Sequence, residues 1–379
     1  MEEIIHTVRL IQHSPVIHFK PEDIPIRATE LKPAFDRFLI ENVGDFKKFR
    51  KDQKKFKTLY KYKIEIYSVN QKSDPIKKKT LYFGDTRKTK FVCADVEVKF
   101  FSFDAKLIET IKKFFPEFIS QYNFGMRKNK GFGSFTTEDG FIKPKNRRVF
   151  YMDLDKEGWM EDLNYFYRSL RQGINENGFY LKPLIFEYAC IKNTEWEKKR
   201  IKEKFDELNI KHPRGRHQVN SCHMDEYKII RDVFGLSTSQ NWMGYKKDEC
   251  DVIIIKKEHI SYKDGEKRSD KIERFPSPVF FKPVKSGDKM RVYFWINGPT
   301  VKGKFRIKAE LKKTVYQNGK KRKIKCENEK YIDSLWVSDV DWDTLFEMML
   351  ERKSRFRSDS KNDIEQKLAR AYGSLEELK

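Results

Sequence analysis

Residues 60–69 read YKYKIEIYSV, and this alternation of rings or isoleucines with polar residues constrains the chain more than any other stretch. A period of two fits a half-buried β-strand and no helix. Val92 to Phe103 (VCADVEVKFFSF) gives a second strand. Helical patterns flank the pair. Arg27 to Val43 places Leu31, Phe35, Phe38 and Leu39 on one stripe, with Thr29 as the expected N-cap and Pro33 within the first turns. Ile108 to Tyr122 aligns Ile108, Ile111, Phe115 and Ile119, with a kink or break expected at Pro116. His6 to His18 opens the chain as a strand that bends at Ser14-Pro15, and Ser134 to Thr137 supplies a last strand. Strand, helix, strand, strand, helix, strand is the order of a ferredoxin-like domain.

Between the second helix and the last strand lies FGMRKNKGFGSF, Phe124 to Phe135. Gly125, Gly131 and Gly133 bracket Arg127, Lys128 and Lys130. Glycine admits positive φ and lets a ligand approach the main chain. Amides beside lysine and arginine suit a polyanion such as an RNA backbone. The segment is not a P-loop, because the helix precedes the strand and no Gly-Lys-Ser/Thr follows.

The balance of charge points the same way. Lys+Arg 80 against Asp+Glu 57 gives a formal net charge of +23, and 14% of residues are aromatic. Cations interleaved with rings favour single-stranded RNA over duplex DNA. No apolar run is long enough to cross a bilayer, so no membrane partner is expected. Cys93, Cys190, Cys222, Cys250 and Cys326 are scattered and odd in number, which fits reduced thiols and a cytoplasmic location.

The second half opens with helical patterns at Met160 to Ile174, Trp196 to Leu208 and Met224 to Phe234, the last closed by Gly235. Strands are expected at 251–256, 271–282, 290–296 and 305–315, with a hairpin through Lys263-Asp264-Gly265-Glu266. Lys320 to Lys325 (KKRKIK) reads as a basic hairpin or loop. Trp342 to Leu350 and Asp363 to Leu378 read as closing helices. Lys211 to His223 is a polar, basic loop in which Arg214 and Arg216 are candidate RNA contacts. His212, His217, Cys222 and His223 lack zinc-ligand spacing, so no metal and no cofactor is expected. Asp45 to Lys63 is either a solvated charged face or a phosphate-tracking one, with Phe46, Phe49, Phe56 and Tyr60 available for stacking.

Three stretches together resemble the RAMP superfamily of CRISPR effector subunits, most closely the two-domain subunit at the head of type III-B (Cmr) complexes. They are IRATELKP (Ile26 to Pro33), RKNKGFGS (Arg127 to Ser134) and RFPSPVFFKPV (Arg274 to Val284). Pro33 stands where that family usually has glycine. The resemblance implies an α+β protein of two ferredoxin-like (RAMP/RRM-like) domains, residues 1–150 and 151–379, the second with helical insertions. It implies a subunit that grips guide RNA, target RNA and other RAMP subunits, without a catalytic residue of its own. Arg27, Thr29 and Lys32 would face the guide at the start of the first helix. Arg127, Lys128, Asn129, Lys130, Phe132, Ser134 and the amides of Gly131 and Gly133 would meet RNA at the loop. Arg274 and Ser277 would act alike in the second domain.

Two alternatives stand beside this reading. The superfamily includes the metal-independent endonuclease that matures guide RNA, for which His6, His13 and His18 are the candidate acid-base groups. A stand-alone RNA-binding protein would explain the charge but not the three motifs.

Overall fold

The computed structural model describes residues 4–18, 24–44, 60–72, 90–192, 228–235, 239–243, 252–263, 266–271, 276–298, 304–317, 320–325, 330–337 and 339–379. Strand β1 (Ile4–Gln12) stops at Ser14-Pro15, and β2 (Val16–His18) resumes beyond it. Helix α1 (Ala28–Asn42), β3 (Lys63–Lys72), β4 (Lys90–Ser102), α2 (Ala105–Gln121) and the short β5 (Phe135–Thr136) follow. β4 pairs antiparallel with β1, β2 and β3, and β5 adds to the other side of β1. This arrangement is consistent with a ferredoxin-like domain.

Both helices bury their apolar stripes on the sheet. Leu31, Phe35 and Leu39 of α1 meet Ile111, Phe115 and Phe118 of α2 over Leu10, Val96, Val98 and Phe100. Phe35 lies 5.2 Å from Phe115 and 5.1 Å from Phe118 between ring centroids, in edge-on and tilted contacts that suit ring quadrupoles.

Three local expectations are corrected. Arg27, not Thr29, occupies the N-cap of α1, with an extended backbone at φ −100° and ψ 143°. Pro116 does not break α2, because buried Phe115, Phe118 and Ile119 hold the turns around it on the core. Tyr60 is only 2% exposed, so it belongs to the core and not to a stacking surface. Phe46, Phe49 and Phe56 lie outside the described residues.

A second pass through the same order begins at β6 (Phe150–Asp155) and α3 (Trp159–Arg171). Next come β7 (Ile174–Glu176), β8 (Phe179–Leu181), α4 (Leu184–Ile191), β9 (Lys228–Ile229), β10 (Ser239–Met243), β11 (Val252–Lys263) and β12 (Glu266–Lys271). Strands β13 (Val279–Ser286) and β14 (Lys289–Ile296) precede β15 (Lys304–Gln317), β16 (Lys320–Lys325) and β17 (Lys330–Val337). The chain closes with α5 (Trp342–Glu351), α6 (Asp363–Gly373) and β18 (Glu376–Glu377). β13, β14, β6 and β18 form one four-stranded antiparallel sheet in that order. With α3 and α6 between them in sequence, strand, helix, strand, strand, helix, strand recurs.

The strands expected near 251–256 and 305–315 belong elsewhere. β9 to β12 and β15 to β17 make a seven-stranded sheet, antiparallel except where β9 joins β17. Among the described residues, the second half thus contains this sheet as well as helices α3, α4 and α5. Runs such as VIIIKKEHISYK in β11 supply the β-branched residues that a pleated surface accepts. The hairpin expected at 263–266 is present as β11–β12, whereas KKRKIK, read as a basic hairpin or loop, is itself strand β16 paired with β15. The expected strand at 271–282 is split between the end of β12 and the start of β13. The expected helix at 224–234 appears, within the described residues, as β9 and a 3-10 turn, Arg231–Phe234. The last helix ends at Gly373, and Glu376 pairs with Tyr151 as strand. Residues 196–208 and 211–223 lie outside the described residues.

By its internal contacts the chain forms two units. One comprises Met1–Leu163, Val279–Asn297 and Arg370–Lys379, and the other Asn164–Pro278 and Gly298–Ala369. In the second unit, buried Arg352 braces three segments by donating to Ser169 O and Lys182 O, each at 3.0 Å, while pairing with Glu187 at 2.9 Å. Among the described residues, no helix is long and apolar enough to cross a membrane.

Candidate nucleic-acid interface

The glycine-rich segment leaves α2 through Asn123 and enters β5 through Ser134, and its two ends are buried. Phe124, Phe132, Ser134 and Phe135 are buried. Gly125, Gly131 and Gly133 all have positive φ, at 75°, 87° and 69°. Space around them is as restrictive as the backbone. An added Cβ would lie 2.6 Å from Val16 Cγ1 at Gly125 and 2.8 Å from Pro283 Cγ at Gly131, and at Gly133 it would collide with Phe124 O.

The amides of these glycines already have acceptors. Gly125 N–H donates to Glu30 Oε1 at 2.8 Å, a carboxylate from the first turn of α1. Gly131 N–H donates to Lys128 O at 3.2 Å, and Gly133 N–H to Pro15 O at 2.9 Å. The Gly131 and Gly133 amides, expected to face RNA, are thus engaged within the chain. Gly131, Phe132, Gly133 and Ser134 are packing residues in this structure.

What they pack against links the second and third motifs read from the sequence. Ser14 Oγ donates to Gly131 O at 2.6 Å and accepts from Ser134 N–H at 2.9 Å, so the break between β1 and β2 receives the loop. Asn123 Nδ2 donates to Lys128 O and to Phe281 O, Phe281 N–H donates to Asn129 O at 3.1 Å, and Ser134 Oγ donates to Pro283 O at 2.6 Å. The loop therefore clasps β13. Lys282, next in that strand, is fully buried. Its Nζ donates to Ile119 O at 2.6 Å and Tyr122 O at 2.7 Å at the end of α2. Burial pushes its pKa well below the ordinary lysine value, while the carbonyl end of a helix is a favourable place for a cation.

The charged tip is distinct from this buried base. Lys130 is exposed, and Arg127, Lys128 and Asn129 are half-buried. Arg127 takes a left-handed backbone at φ 54°. Lys128 Nζ donates to Tyr122 Oη at 3.0 Å and lies 4.5 Å from the centre of that ring. The tip thus has defined geometry as well as charge.

At the start of α1, Arg27 and Thr29 are exposed, whereas Lys32 is half-buried and turned inward. Its Nζ is 3.2 Å from Asp36 Oδ2 and 3.5 Å from the Tyr62 ring centre. Tyr62 Oη donates to Asp36 Oδ1 at 2.6 Å. Burial raises the Asp36 pKa, with Lys32 and the Tyr62 hydrogen bond opposing it. Ser277 is half-buried. Arg214, Arg216, Arg274 and the His212 to His223 loop lie outside the described residues.

The histidines have structural partners. His13 Nδ1 accepts from Lys285 N–H at 3.1 Å and its Nε2 lies 2.8 Å from Thr136 Oγ1, which makes Nε2 the protonated nitrogen of the neutral ring. His18 is buried with Nε2 3.3 Å from Pro25 O. Burial lowers the pKa of His6, and Lys112 adds to the shift. Sequence reasoning missed Glu30, Ser14, Asn123 and Lys282, whose roles depend on contacts across long stretches of chain.

Comparison with known proteins follows the same two halves. The family model of the Cmr1 N-terminal domain matches residues 3–174, and that of the Cmr1 C-terminal domain matches residues 180–369. A comparison with curated proteins finds no match. Among solved structures, the crystal structure of Cmr1 from Pyrococcus furiosus in its apo form is similar at 12% identity. That match covers 79% of this chain and 89% of that one, with a TM-score of 0.36.

Proposed function

Because the chain belongs to the Cmr1 family of the RAMP superfamily, we propose that it is an RNA-binding subunit of a type III CRISPR effector ribonucleoprotein. The observation that carries this reading is the match of both Cmr1 domain models, in chain order, over nearly all of a protein with a net charge of +23. In this reading the subunit contacts guide or target RNA and neighbouring RAMP subunits, and performs no cleavage of its own. His13 and His18, both buried and engaged within the chain, support the non-catalytic part.

Arg127, Lys128 and Lys130 are the RNA contacts of the loop, carried on a base fixed by Gly131, Gly133 and Ser134. Arg27 and Thr29 are contacts at the start of α1. Lys32 acts there through Asp36 and Tyr62, as a positioning residue. In this reading Arg214, Arg216, Arg274 and Ser277 are further RNA contacts.

Each phosphate neutralised by a cation releases counterions, so affinity for single-stranded RNA falls steeply with salt. Fluorescence anisotropy of a labelled oligouridylate against the full chain at rising salt tests this. A steep linear fall of log affinity with log salt is expected, and an affinity indifferent to salt contradicts the reading.

A further inference from the structure

The first turn of α1 and the start of the glycine-rich loop are held together by one carboxylate. Glu30 Oε1 accepts from Gly125 N–H at 2.8 Å, across 95 residues of chain. Two further contacts bring the same segments to the end of β2. Met126 N–H donates to Ile17 O at 3.1 Å, and His18 Nε2 lies 3.3 Å from Pro25 O, just before α1. At Gly125 an added Cβ would lie 2.9 Å from Ile17 O, so the close approach of the loop to β2 needs the glycine.

The tie joins the two sets of residues read above as RNA contacts. Arg27 and Thr29 are exposed beside Glu30, and Arg27 precedes it by three residues, about 4.5 Å of helix rise. Arg127 follows Gly125 by two residues, at most about 7 Å between α-carbons. Lys130 N–H donates to Arg127 O at 2.8 Å, which fixes the turn of the tip from Arg127 onward. A carboxylate so near these arginines in the chain opposes a polyanion by charge alone. What it supplies is position, because an ionised acceptor holds an amide more strongly than a neutral one.

We propose that Glu30 is a positioning residue for RNA binding, which sets the cationic tip of the loop at a fixed offset from the first turn of α1 so that Arg27 and Arg127 grip one RNA segment as a single site. This deepens the RNA-binding function above and rests on it. A carboxylate in the first turn also favours the helix itself. That role alone would leave the two arginines independent of each other, so the test must separate the two.

The test is a double-mutant cycle in oligouridylate affinity of the full chain. Arg27→Ala and Arg127→Ala are made singly and together, in the parent and in Glu30→Ala, with Glu30→Gln measured beside them. Circular dichroism first establishes that each variant is folded. Glu30→Ala removes a charge-assisted hydrogen bond and is expected to weaken binding about tenfold. Glu30→Gln still offers an oxygen to Gly125 N–H without a charge against phosphate, and is expected to restore at least the parent's affinity. In the parent, the loss from both arginine variants together should differ from the product of the single losses by at least about twofold, whereas in Glu30→Ala the losses should multiply.

A folded Glu30→Ala that binds RNA as the parent does overturns the proposal while leaving the general function intact. Tighter binding by both Glu30 variants overturns it in favour of charge repulsion alone. A Glu30→Gln that binds no better than Glu30→Ala overturns it too. Arginine losses that multiply in the parent do the same, and this arm decides with Glu30→Gln if Glu30→Ala fails to fold. A parent that does not bind RNA removes the general function and this inference together.

Discussion

The two strand-helix-strand-strand-helix-strand passes differ most where the second helix gives way to the last strand. In the first, residues 122–134 fill that junction and clasp β13. In the second, α6 ends at Gly373 and β18 begins at Glu376, so Ser374 and Leu375 alone span it. The helix ends are closed differently as well. The carbonyls of Ile119 and Tyr122 receive a lysine from another strand, whereas Arg370 O accepts from Ser374 N–H at 3.3 Å and Ser374 Oγ–H at 3.0 Å, close by in the chain. The order of elements does not itself require a long glycine-rich junction. Its glycines in the first pass reflect the atoms packed around them, and its cations stand at the tip.

The largest expected difference between the two junctions is in stability. Gly133→Ala places a Cβ on Phe124 O at φ 69° and is expected to cost about 4 kcal/mol or more. Gly373→Ala meets no atom within 4 Å and lies in a helix, so it is expected to change stability by less than about 1 kcal/mol, in the stabilising direction. Urea unfolding of the full chain measures both, and equal effects would break the comparison.

The helix pairs give a second, smaller contrast. α1 and α2 meet through Phe35 and Phe118, while α3 and α6 are joined by a fork from Arg370 Nε and Nη2 to the two oxygens of Asp162, both at 2.8 Å. Asp162 is 1% exposed, so Arg370→Met strands a buried carboxylate and is expected to cost about 3 kcal/mol. Phe118→Leu, which shrinks an apolar contact, is expected to cost about 1 to 2 kcal/mol by the same measurement.

Lys282→Met sharpens the contrast between the helix ends. It removes the donor to Ile119 O and Tyr122 O, at a cost of about 1 to 2 kcal/mol near neutral pH. The sign of its pH dependence follows from burial, which sets the folded pKa below that of the unfolded chain. Between those two values the unfolded chain holds a proton that the folded one has released, so the parent gains stability as pH rises. The gap between parent and Lys282→Met should widen from neutral pH to about pH 10. A constant gap contradicts this account of the buried lysine.

Much of the architecture was legible in the sequence because it rests on local period. The alternation at Ile64 and Ile66, the stripe of Ile108, Ile111 and Phe115, and the break at Ser14-Pro15 each report their own environment. The partition of the second half was not legible, because β-branched runs at 252–263 and 304–317 look the same whichever sheet they join. The glycine motif was located correctly, but its amides were assigned to a ligand. Glu30 and Pro15, which accept those hydrogen bonds from about a hundred residues away, leave no mark beside the motif. Lys282 was hidden for a related reason. A lysine between phenylalanine and proline in a strand gives no local sign that a helix end awaits it.

The division of the loop into a packed base and a charged tip is tested most directly by Arg127→Ala/Lys128→Ala/Lys130→Ala. Near-UV circular dichroism and the urea midpoint should stay close to the parent, because Phe124, Phe132, Ser134 and the glycines hold the loop in place. Anisotropy with single-stranded RNA should show weaker binding and a salt slope reduced by up to about 0.7 for each phosphate the variant no longer neutralises. A folded variant that binds RNA with the parent's affinity and slope would mean that the loop is a structural clasp alone.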